Sequence, residues 1–254
     1  MGIAIGLDLG STAIKLAAVE SKKLVYRYSL ATAPGQESLA NEMIAHAVSE
    51  MGISAADIEG VVATGYGKKL FSSATKTVDE ISANARGAFL LSDGEARLVM
   101  NVGGQDMKVI FLGSSGEVID FKMNDKCAAG TGRFFEQAAR IVDTPLEEFG
   151  ELCLQAEDAV ELNSTCVVFA ESEIVSLLSK GTPKEKVVKG LCASVARRAA
   201  AFLQGLDDMS GLYLDGGPAM NRGLGAALAV ELSAEVRVLR EPQFTVAYGA
   251  ACFL

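Results

Sequence analysis

The stretch IAIGLDLGSTAIKLAAV, residues 3–19, contains the unit that decides the fold. The apolar residues 3–9 predict a buried strand, and a second strand, Ile14–Val19, follows the polar turn Gly10-Ser11-Thr12. A third strand is predicted at Leu24–Leu30. This first turn would present backbone N–H groups and two hydroxyls that can bind phosphate oxygens, although an ordinary β-turn has the same sequence features.

Two charged residues flank the first turn. Lys15, in the second strand, would add positive charge beside a phosphate. Asp8, at the end of the first strand, could hold Mg²⁺ through water. The hairpin is therefore a candidate for one half of a nucleotide-phosphate site.

The same order of strand, glycine-containing turn and two further strands recurs in residues 97–123. It contains, in order, the strand Arg97–Val102, the second turn Gly103-Gly104-Gln105-Asp106, and the strands Met107–Leu112 and Val118–Met123. Duplication of a phosphate-binding hairpin is much more specific than either copy alone. It predicts an α/β protein with two lobes, 1–94 and 95–254, whose hairpins face each other and hold the phosphates of one nucleotide.

Hydrophobic periodicity and turn residues predict the remaining elements. The predicted helices are Gln36–Met51, Asp79–Leu91, Arg133–Ile141, a short helix starting over Pro145–Phe149, Phe169–Ser179, Lys184–Leu203, Asn221–Leu232 and Thr245–Phe253. The further strands are Ile58–Thr64, Leu212–Asp215 and Val236–Leu239. A third turn, Gly216-Gly217-Pro218, lies at a strand's carboxyl end, where ligands bind in α/β sheets. Its lack of charge suits a nucleoside.

Composition narrows the class of protein. The 254 residues suffice for two lobes, and the net charge of −9 disfavours nucleic acid or an anionic membrane as partner. We see no signal-peptide pattern at the N-terminus, and the apolar runs are shorter than a membrane span. The sequence therefore predicts a cytoplasmic protein.

The cysteines and the single histidine exclude several kinds of site. Five cysteines, an odd number, argue against a disulfide framework. No CxxC occurs, which excludes a zinc ribbon or a local four-cysteine ferredoxin motif. Three of the thiols, Cys153, Cys192 and Cys252, are expected to be inert packing residues. His46 lies in a helix-like segment and is expected to be an ordinary surface histidine or one with its hydrogen bonds satisfied, so Ser-His-Asp and Cys-His catalysis are poorly supported.

The segment NDKCAAGTGRFFE, residues 124–136, combines two kinds of chemistry. Cys127 precedes the turn Gly130-Thr131-Gly132, and an amphipathic helix follows. A thiol near a helix N-terminus suits a metal cluster, because the N–H groups there stabilise a thiolate. A glycine turn suits a phosphate. The segment therefore indicates a coupling between nucleotide and metal chemistry.

Three motifs together resemble the actin-like ATPase superfamily, which has a ribonuclease H-like fold. Asp8–Thr12 and Gly103–Asp106 are similar to its two phosphate motifs, and Asp215–Gly217 is similar to its adenosine motif. More narrowly, NDKCAAGTGRF and CVVFAESEIVSLL, residues 166–178, resemble the activators of 2-hydroxyacyl-CoA dehydratases. That group includes the ATPase subunits of benzoyl-CoA reductases and the reductases of double-cubane cluster proteins. The resemblance covers the whole chain.

The resemblance implies a homodimer with one bridging [4Fe–4S] cluster. Cys127 and Cys166 would be its ligands, and each precedes a predicted helix. Two thiolates per chain are half of the four that such a cluster needs, so a two-fold dimer would complete the set. ATP hydrolysis would drive one-electron transfer from a ferredoxin or flavodoxin to an iron–sulfur acceptor enzyme.

The resemblance also implies a site for ATP or ADP with Mg²⁺. The residues implied in nucleotide binding are Ser11, Thr12, Ala13, Lys15, Gly103, Gly104, Gln105, Gly130, Thr131, Gly132, Gly216, Gly217, Pro218 and Gln243. Asp8, Gln105 and Asp106 would be catalytic. One residue departs from the family pattern: Asn101 stands where the family usually has Asp. We expect intact binding and slower hydrolysis as a result.

Two rival functions remain at this point. A small-molecule kinase of the same superfamily would share the phosphate motifs, but the chain has little room for a substrate lobe. An actin-like binding or filament protein without a cluster would be colourless. Neither explains the motifs around Cys127 and Cys166.

Overall fold

The computed structural model describes residues 2–124, 129–162 and 167–254. The predicted cluster ligands, Cys127 and Cys166, lie outside the described residues. The strands are β1 (Ile3–Leu9), β2 (Ala13–Glu20), β3 (Lys23–Ala31), β4 (Ile58–Thr64), β5 (Lys76–Thr77), β6 (Leu98–Val102), β7 (Met107–Leu112), β8 (Val118–Asn124), β9 (Leu212–Asp215) and β10 (Arg237–Val238). The helices are α1 (Gln36–Met51), α2 (Glu80–Leu91), α3 (Gly132–Val142), α4 (Phe149–Gln155), α5 (Val167–Ser179), α6 (Lys184–Ala201), α7 (Arg222–Leu232) and α8 (Thr245–Ala251).

Two five-stranded sheets share one strand order. The first runs β3-β2-β1-β4-β5 and the second β8-β7-β6-β9-β10, so each strand of the first has a counterpart five places later. β1 pairs antiparallel with β2 and parallel with β4, and β6 is likewise parallel to β9. The predicted duplication and the α/β class are confirmed, and the duplication extends over both whole sheets.

The chain divides into two compact units. Unit 1 comprises Met1–Arg97, Ile110–Asp120 and Leu239–Leu254, and unit 2 comprises Leu98–Val109 and Phe121–Val238. The C-terminal helix α8 therefore belongs to unit 1.

Both faces of the unit 1 sheet are covered by helices. Alternate β1 residues such as Ile5 and Leu7 are buried in one cluster with Met43 of α1. Ala4, from the intervening positions, is buried with Ala247 of α8. Burial on both faces explains why β1 has no polar side chain before Asp8 and does not alternate between polar and apolar residues.

Unit 2 has a helical core next to its sheet. Hydrophobic residues along one side of α6 are fully buried; they are Val187, Val188, Leu191, Val195 and Ala199. Phe134 and Phe135 of α3 are buried as predicted, and the Phe135 ring packs edge-on against Phe149 with centroids 6.5 Å apart. α3 thereby turns its apolar face inward.

The structure differs from the predicted elements mainly at their ends. Short elements that the sequence analysis missed are β5 and 3₁₀ turns over Ala55–Asp57, Lys68–Leu70 and Gly217–Met220. β10 has two residues rather than four, and α8 ends at Ala251 rather than at Phe253. Among the described residues, no helix is both long and apolar enough to cross a membrane.

The remaining cysteines behave as packing residues. Cys153, Cys192 and Cys252 are buried free thiols, as predicted. A hydrogen bond with Cys153, together with burial, raises the pKa of Cys192, and burial raises the pKa of Cys252. Raised pKa values keep these two thiols protonated and unreactive.

Candidate nucleotide site

In unit 1, Lys15 and Asp8 form an ion pair beside the first turn. The two residues are direct register partners on β2 and β1, and Lys15 Nζ lies 2.9 Å from Asp8 Oδ2. The Asp8 side chain is 5% exposed and that of Lys15 is 20% exposed. The pair places a buried carboxylate and a partly accessible ammonium at the turn end of the hairpin.

Glycines leave space around the second Asp8 oxygen. A Cβ on Gly65, which has φ 83°, would lie 2.6 Å from Asp8 Oδ1 and 2.8 Å from the Leu9 carbonyl oxygen. A Cβ on Gly10 would lie 3.8 Å from the same Asp8 oxygen and 2.8 Å from the Ala13 carbonyl oxygen. Because both residues are glycines, neither has a side chain that covers Asp8 Oδ1.

Two hydroxyls of unit 1 are buried without a hydrogen-bond partner among the described residues. One is Thr12 Oγ1 in the first turn, and the other is Thr64 Oγ1 at the end of β4. Unpaired buried hydroxyls are costly, and they are common where a ligand supplies the partner. The adjacent Ser11 and Ala13 are partly exposed.

In unit 2, the second turn is held by its own backbone and by a buried ion pair. The Gly103 N–H donates to the Asp106 carbonyl oxygen at 2.9 Å. Asp106 Oδ1 lies 3.0 Å from Lys108 Nζ, and both side chains are buried. Gln105 at the tip is exposed, and Gly104 is partly exposed. The turn thus exposes the Gln105 side chain and buries the ion pair of Asp106 and Lys108.

Asn101 and Asp215 form a second polar pair in unit 2. They are register partners at the ends of β6 and β9, and Asn101 Nδ2 donates to Asp215 Oδ1 at 2.8 Å. Both are buried. The end of β6 therefore carries an amide that donates to the carboxylate at the end of β9.

The start of α3 is bonded to the second turn. The N–H groups of Gly132 and Arg133 donate to the carbonyl oxygens of Gly103 and Gly104 at 2.8 and 2.9 Å. The Thr131 hydroxyl also donates to the Gly104 carbonyl oxygen at 2.9 Å. We call these three hydrogen bonds the α3 tether. Gly130, with φ 88°, precedes it in the left-handed region.

The third turn and Gln243 lie in different units. Gly216, with φ 91°, packs so closely on the Val102 carbonyl oxygen that a Cβ would collide with it. A Cβ on Gly217 would meet no atom within 4 Å, and Pro218 is partly exposed. Gln243 lies in unit 1, just before α8. Gly217 is therefore the glycine of this turn with space beside it.

Sequence reasoning missed two residues of these sites, Lys108 and Thr64. Lys108 stands in the second hairpin where Lys15 stands in the first, so aligning the two copies residue by residue would have identified it. Thr64 is the last residue of a predicted strand and is followed by a glycine. Its burial is a tertiary property that local sequence does not reveal.

Comparisons with known proteins agree with this architecture. Residues 5–253 match the model of the BadF/BadG/BcrA/BcrD ATPase family. The activator of lactoyl-CoA dehydratase from Anaerotignum propionicum is 40% identical over 251 residues, covering 98% of this chain and 96% of that protein.

Solved structures place the fold among the actin-like ATPases. The activator of the 2-hydroxyisocaproyl-CoA dehydratase from Clostridium difficile, solved with bound ADPNP, superposes with a TM-score of 0.93 at 36% identity and covers 99% of this chain and 93% of that one. A glucokinase of the ROK family from Streptomyces griseus has a TM-score of 0.62 at 15% identity, with 99% and 98% coverage, and shares the fold alone. The chain therefore belongs to the BadF/BadG/BcrA/BcrD ATPase family.

Proposed function

We propose that this chain is the ATP-dependent activator of a 2-hydroxyacyl-CoA dehydratase. Relatives that are 35–40% identical over nearly the whole chain carry names of such activators. In this role a homodimer with one bridging [4Fe–4S] cluster would pass single electrons from a ferredoxin or flavodoxin to the dehydratase. ATP hydrolysis would be coupled to that transfer.

Each unit contains residues that we assign to binding of MgATP. In unit 1, Ser11, Thr12 and Lys15 would contact phosphate, and Asp8 would hold the hydrated cation. In unit 2, Gly103, Gly104 and Gln105 would contact phosphate, with Asp106 behind them, while the third turn would contact the nucleoside. The unpaired hydroxyl of Thr12 supports this assignment, because a phosphate oxygen would supply its missing partner.

The α3 tether is the observation that carries the coupling. It bonds the second turn to the segment that directly follows Cys127, so a shift of Gly104 towards a phosphate would pull on Thr131 and Arg133. The donors of Thr131 and Gly132 are occupied by these bonds. We therefore assign them an indirect part in nucleotide binding, through the second turn.

The cluster assignment rests on the sequence motifs around the two cysteines. Cys127 and Cys166 precede α3 and α5 in the sequence, and thiolates favour helix starts. A [4Fe–4S] cluster would supply a one-electron carrier whose potential responds to charge and exposure.

Anaerobic purification with iron and sulfide analysis tests the proposal. We expect a brown dimer with about four irons per two chains, as one shared cluster requires, and Cys127→Ser should lose the iron. Cys153→Ser should keep it, because Cys153 is a packing thiol. A colourless protein after anaerobic reconstitution would contradict the proposal.

Two alternative functions make different predictions about the electron acceptor or the iron content. A reductase of a double-cubane cluster protein would have the same cluster and ATP site, but it would reduce that protein and not a dehydratase. A small-molecule kinase would lack iron altogether. ATP-dependent reduction of purified acceptors of both kinds separates the first case from the dehydratase activator.

A further inference from the structure

The duplicated sheets assign unit 1 a counterpart of Asp215. Superimposing the strand orders matches β1 with β6 and β4 with β9. Asp8 is the register partner of Thr64, and Asn101 is the register partner of Asp215. Because Asp8 and Asn101 occupy the same place before their turns, Thr64 is the counterpart of Asp215.

The residues that follow support this correspondence. Gly65 and Gly216 both have positive φ, 83° and 91°. A Cβ on either glycine would press on the carbonyl oxygen of the residue before the neighbouring turn, Leu9 in one case and Val102 in the other. The turn after β4 therefore shares with the third turn a glycine of positive φ that packs on a neighbouring carbonyl oxygen.

Thr64 lies in one row with the charged pair of the first hairpin. Asp8 is the register partner of Lys15 on one side and of Thr64 on the other. Register partners direct their side chains to the same face of a sheet. The row thus contains the Lys15 ammonium, the Asp8 carboxylate and the Thr64 hydroxyl, in that order, at the end of the sheet that carries the first turn.

The Thr64 hydroxyl lacks a partner within the described part of the chain. The residue is fully buried, and its Oγ1 makes no hydrogen bond there. Lys15 occupies Oδ2 of Asp8, while glycines surround Oδ1. A ligand that accepts from or donates to Thr64 would therefore also meet the free side of the Asp8 carboxylate.

We propose that Thr64 is a positioning residue for the hydrated Mg²⁺ of the bound nucleotide. Its hydroxyl would bond a cation-bound water that Asp8 also holds, since Mg²⁺ keeps several of its waters in proteins. A phosphate oxygen is disfavoured at this place because it would face the Asp8 charge. The inference rests on the proposed function, which supplies the nucleotide.

Binding of Mn²⁺ as a paramagnetic probe in the presence of ADPNP tests the assignment. We expect Thr64→Val, which removes only the hydroxyl, to weaken Mn²⁺ binding about five- to tenfold, the loss typical of one hydrogen bond. Thr64→Ser should stay within about twofold of wild type. ADPNP affinity in EDTA should be the same in all three proteins, because the hydroxyl acts through the cation.

Thr245→Val is the matched control. Thr245 is also fully buried in unit 1, but its hydroxyl donates to backbone carbonyls of Glu241 and Pro242. We expect this variant to lower the Tm of the ligand-free protein by about 2–4 °C and to leave Mn²⁺ binding unchanged. Thr64→Val should not lower that Tm, because no bond is lost.

The outcomes separate the two proposals. Wild-type Mn²⁺ affinity in Thr64→Val would overturn the role of Thr64 while leaving the proposed function intact. Failure of the wild-type protein to bind ADPNP with Mn²⁺ would overturn the proposed function and this inference with it. An equal loss in Thr64→Ser would also overturn the hydroxyl's role.

Discussion

Asn101 and Asp215 show how one residue changes the charge of a buried site. The amide of Asn101 donates to Asp215, so the pair contains one acidic group. In unit 1, the corresponding pair of Asp8 and Thr64 also carries a single carboxylate, but on the other strand. Each unit therefore keeps one acidic group at the end of its parallel strand pair.

Asn101→Asp should make unit 2 unstable at neutral pH. Two buried carboxylates would then face each other, which raises the pKa of the pair above the ordinary value of about 3.9. Because the pKa is raised only in the folded state, the variant loses no unfolding free energy below about pH 4. The loss grows as the pH rises through the folded-state pKa. We expect a loss of about 2 kcal/mol in the unfolding free energy at pH 7, measured by denaturant titration at several pH values.

The exchanged pair is the control for this variant. Asn101→Asp combined with Asp215→Asn restores one amide and one carboxylate, and most of the stability should return.

ATP hydrolysis by the single variant Asn101→Asp tests the expected effect of Asn101 on catalysis. We expect faster ATP hydrolysis when Mg²⁺ is saturating, since the cation would compensate the second carboxylate. No acceleration would contradict the expectation that Asn101 slows hydrolysis.

At the scale of elements, glycine contacts decide how unit 1 is assembled. A Cβ on Gly249 of α8 would collide with the Ala83 carbonyl oxygen of α2, and one on Gly87 of α2 would collide with that of Thr245. A Cβ on Gly6 of β1 would collide with the Ala247 carbonyl oxygen. The backbones of these three elements thus approach so closely that only glycine fits.

Gly249→Ala should therefore weaken unit 1 strongly. The added methyl group would have to push α8 away from α2, which we expect to cost about 2–3 kcal/mol of unfolding free energy. Gly225→Ala in α7 is the matched control, because its nearest neighbour would be Val238 Cγ2 at 3.8 Å. That variant should gain about 0.5–1 kcal/mol from helix propensity. Thermal unfolding of both variants measures the contrast, and equal effects would contradict it.

At the scale of the whole molecule, the α3 tether is expected to transmit nucleotide binding towards Cys127. Thr131→Val removes one of its three hydrogen bonds, the one between the hydroxyl and the Gly104 carbonyl oxygen. We expect ADPNP binding within about threefold of wild type, because one bond contributes about 1 kcal/mol or less here. The rate at which a ferrous chelator removes iron should no longer respond to nucleotide.

Thr131→Ser keeps the hydroxyl and is the control. It should retain the response of iron removal to ADPNP. A full response in Thr131→Val would show that the hydroxyl is not required for coupling. Loss of the response in both variants would point to packing around this buried residue instead.

Local pattern was enough to predict most elements and the duplicated hairpins. β1, α1, β4, β7 and β9 were predicted with adequate bounds because their apolar runs end at Gly or polar turns. The cross-strand row of Lys15, Asp8 and Thr64 was not predictable in the same way, since it depends on register between strands far apart in sequence. The α3 tether joins residues almost thirty positions apart and is equally non-local.

The place of α8 has a consequence for the order in which the protein is made. The sheet of unit 1 leaves the ribosome early, but its second face stays uncovered until Thr245–Ala251 have been synthesised. Domains usually fold as their residues emerge, the N-terminal ones first. Here β1 and β2 must wait for α8, so their apolar residues on this face stay uncovered in the nascent chain while residues 21–244 are synthesised.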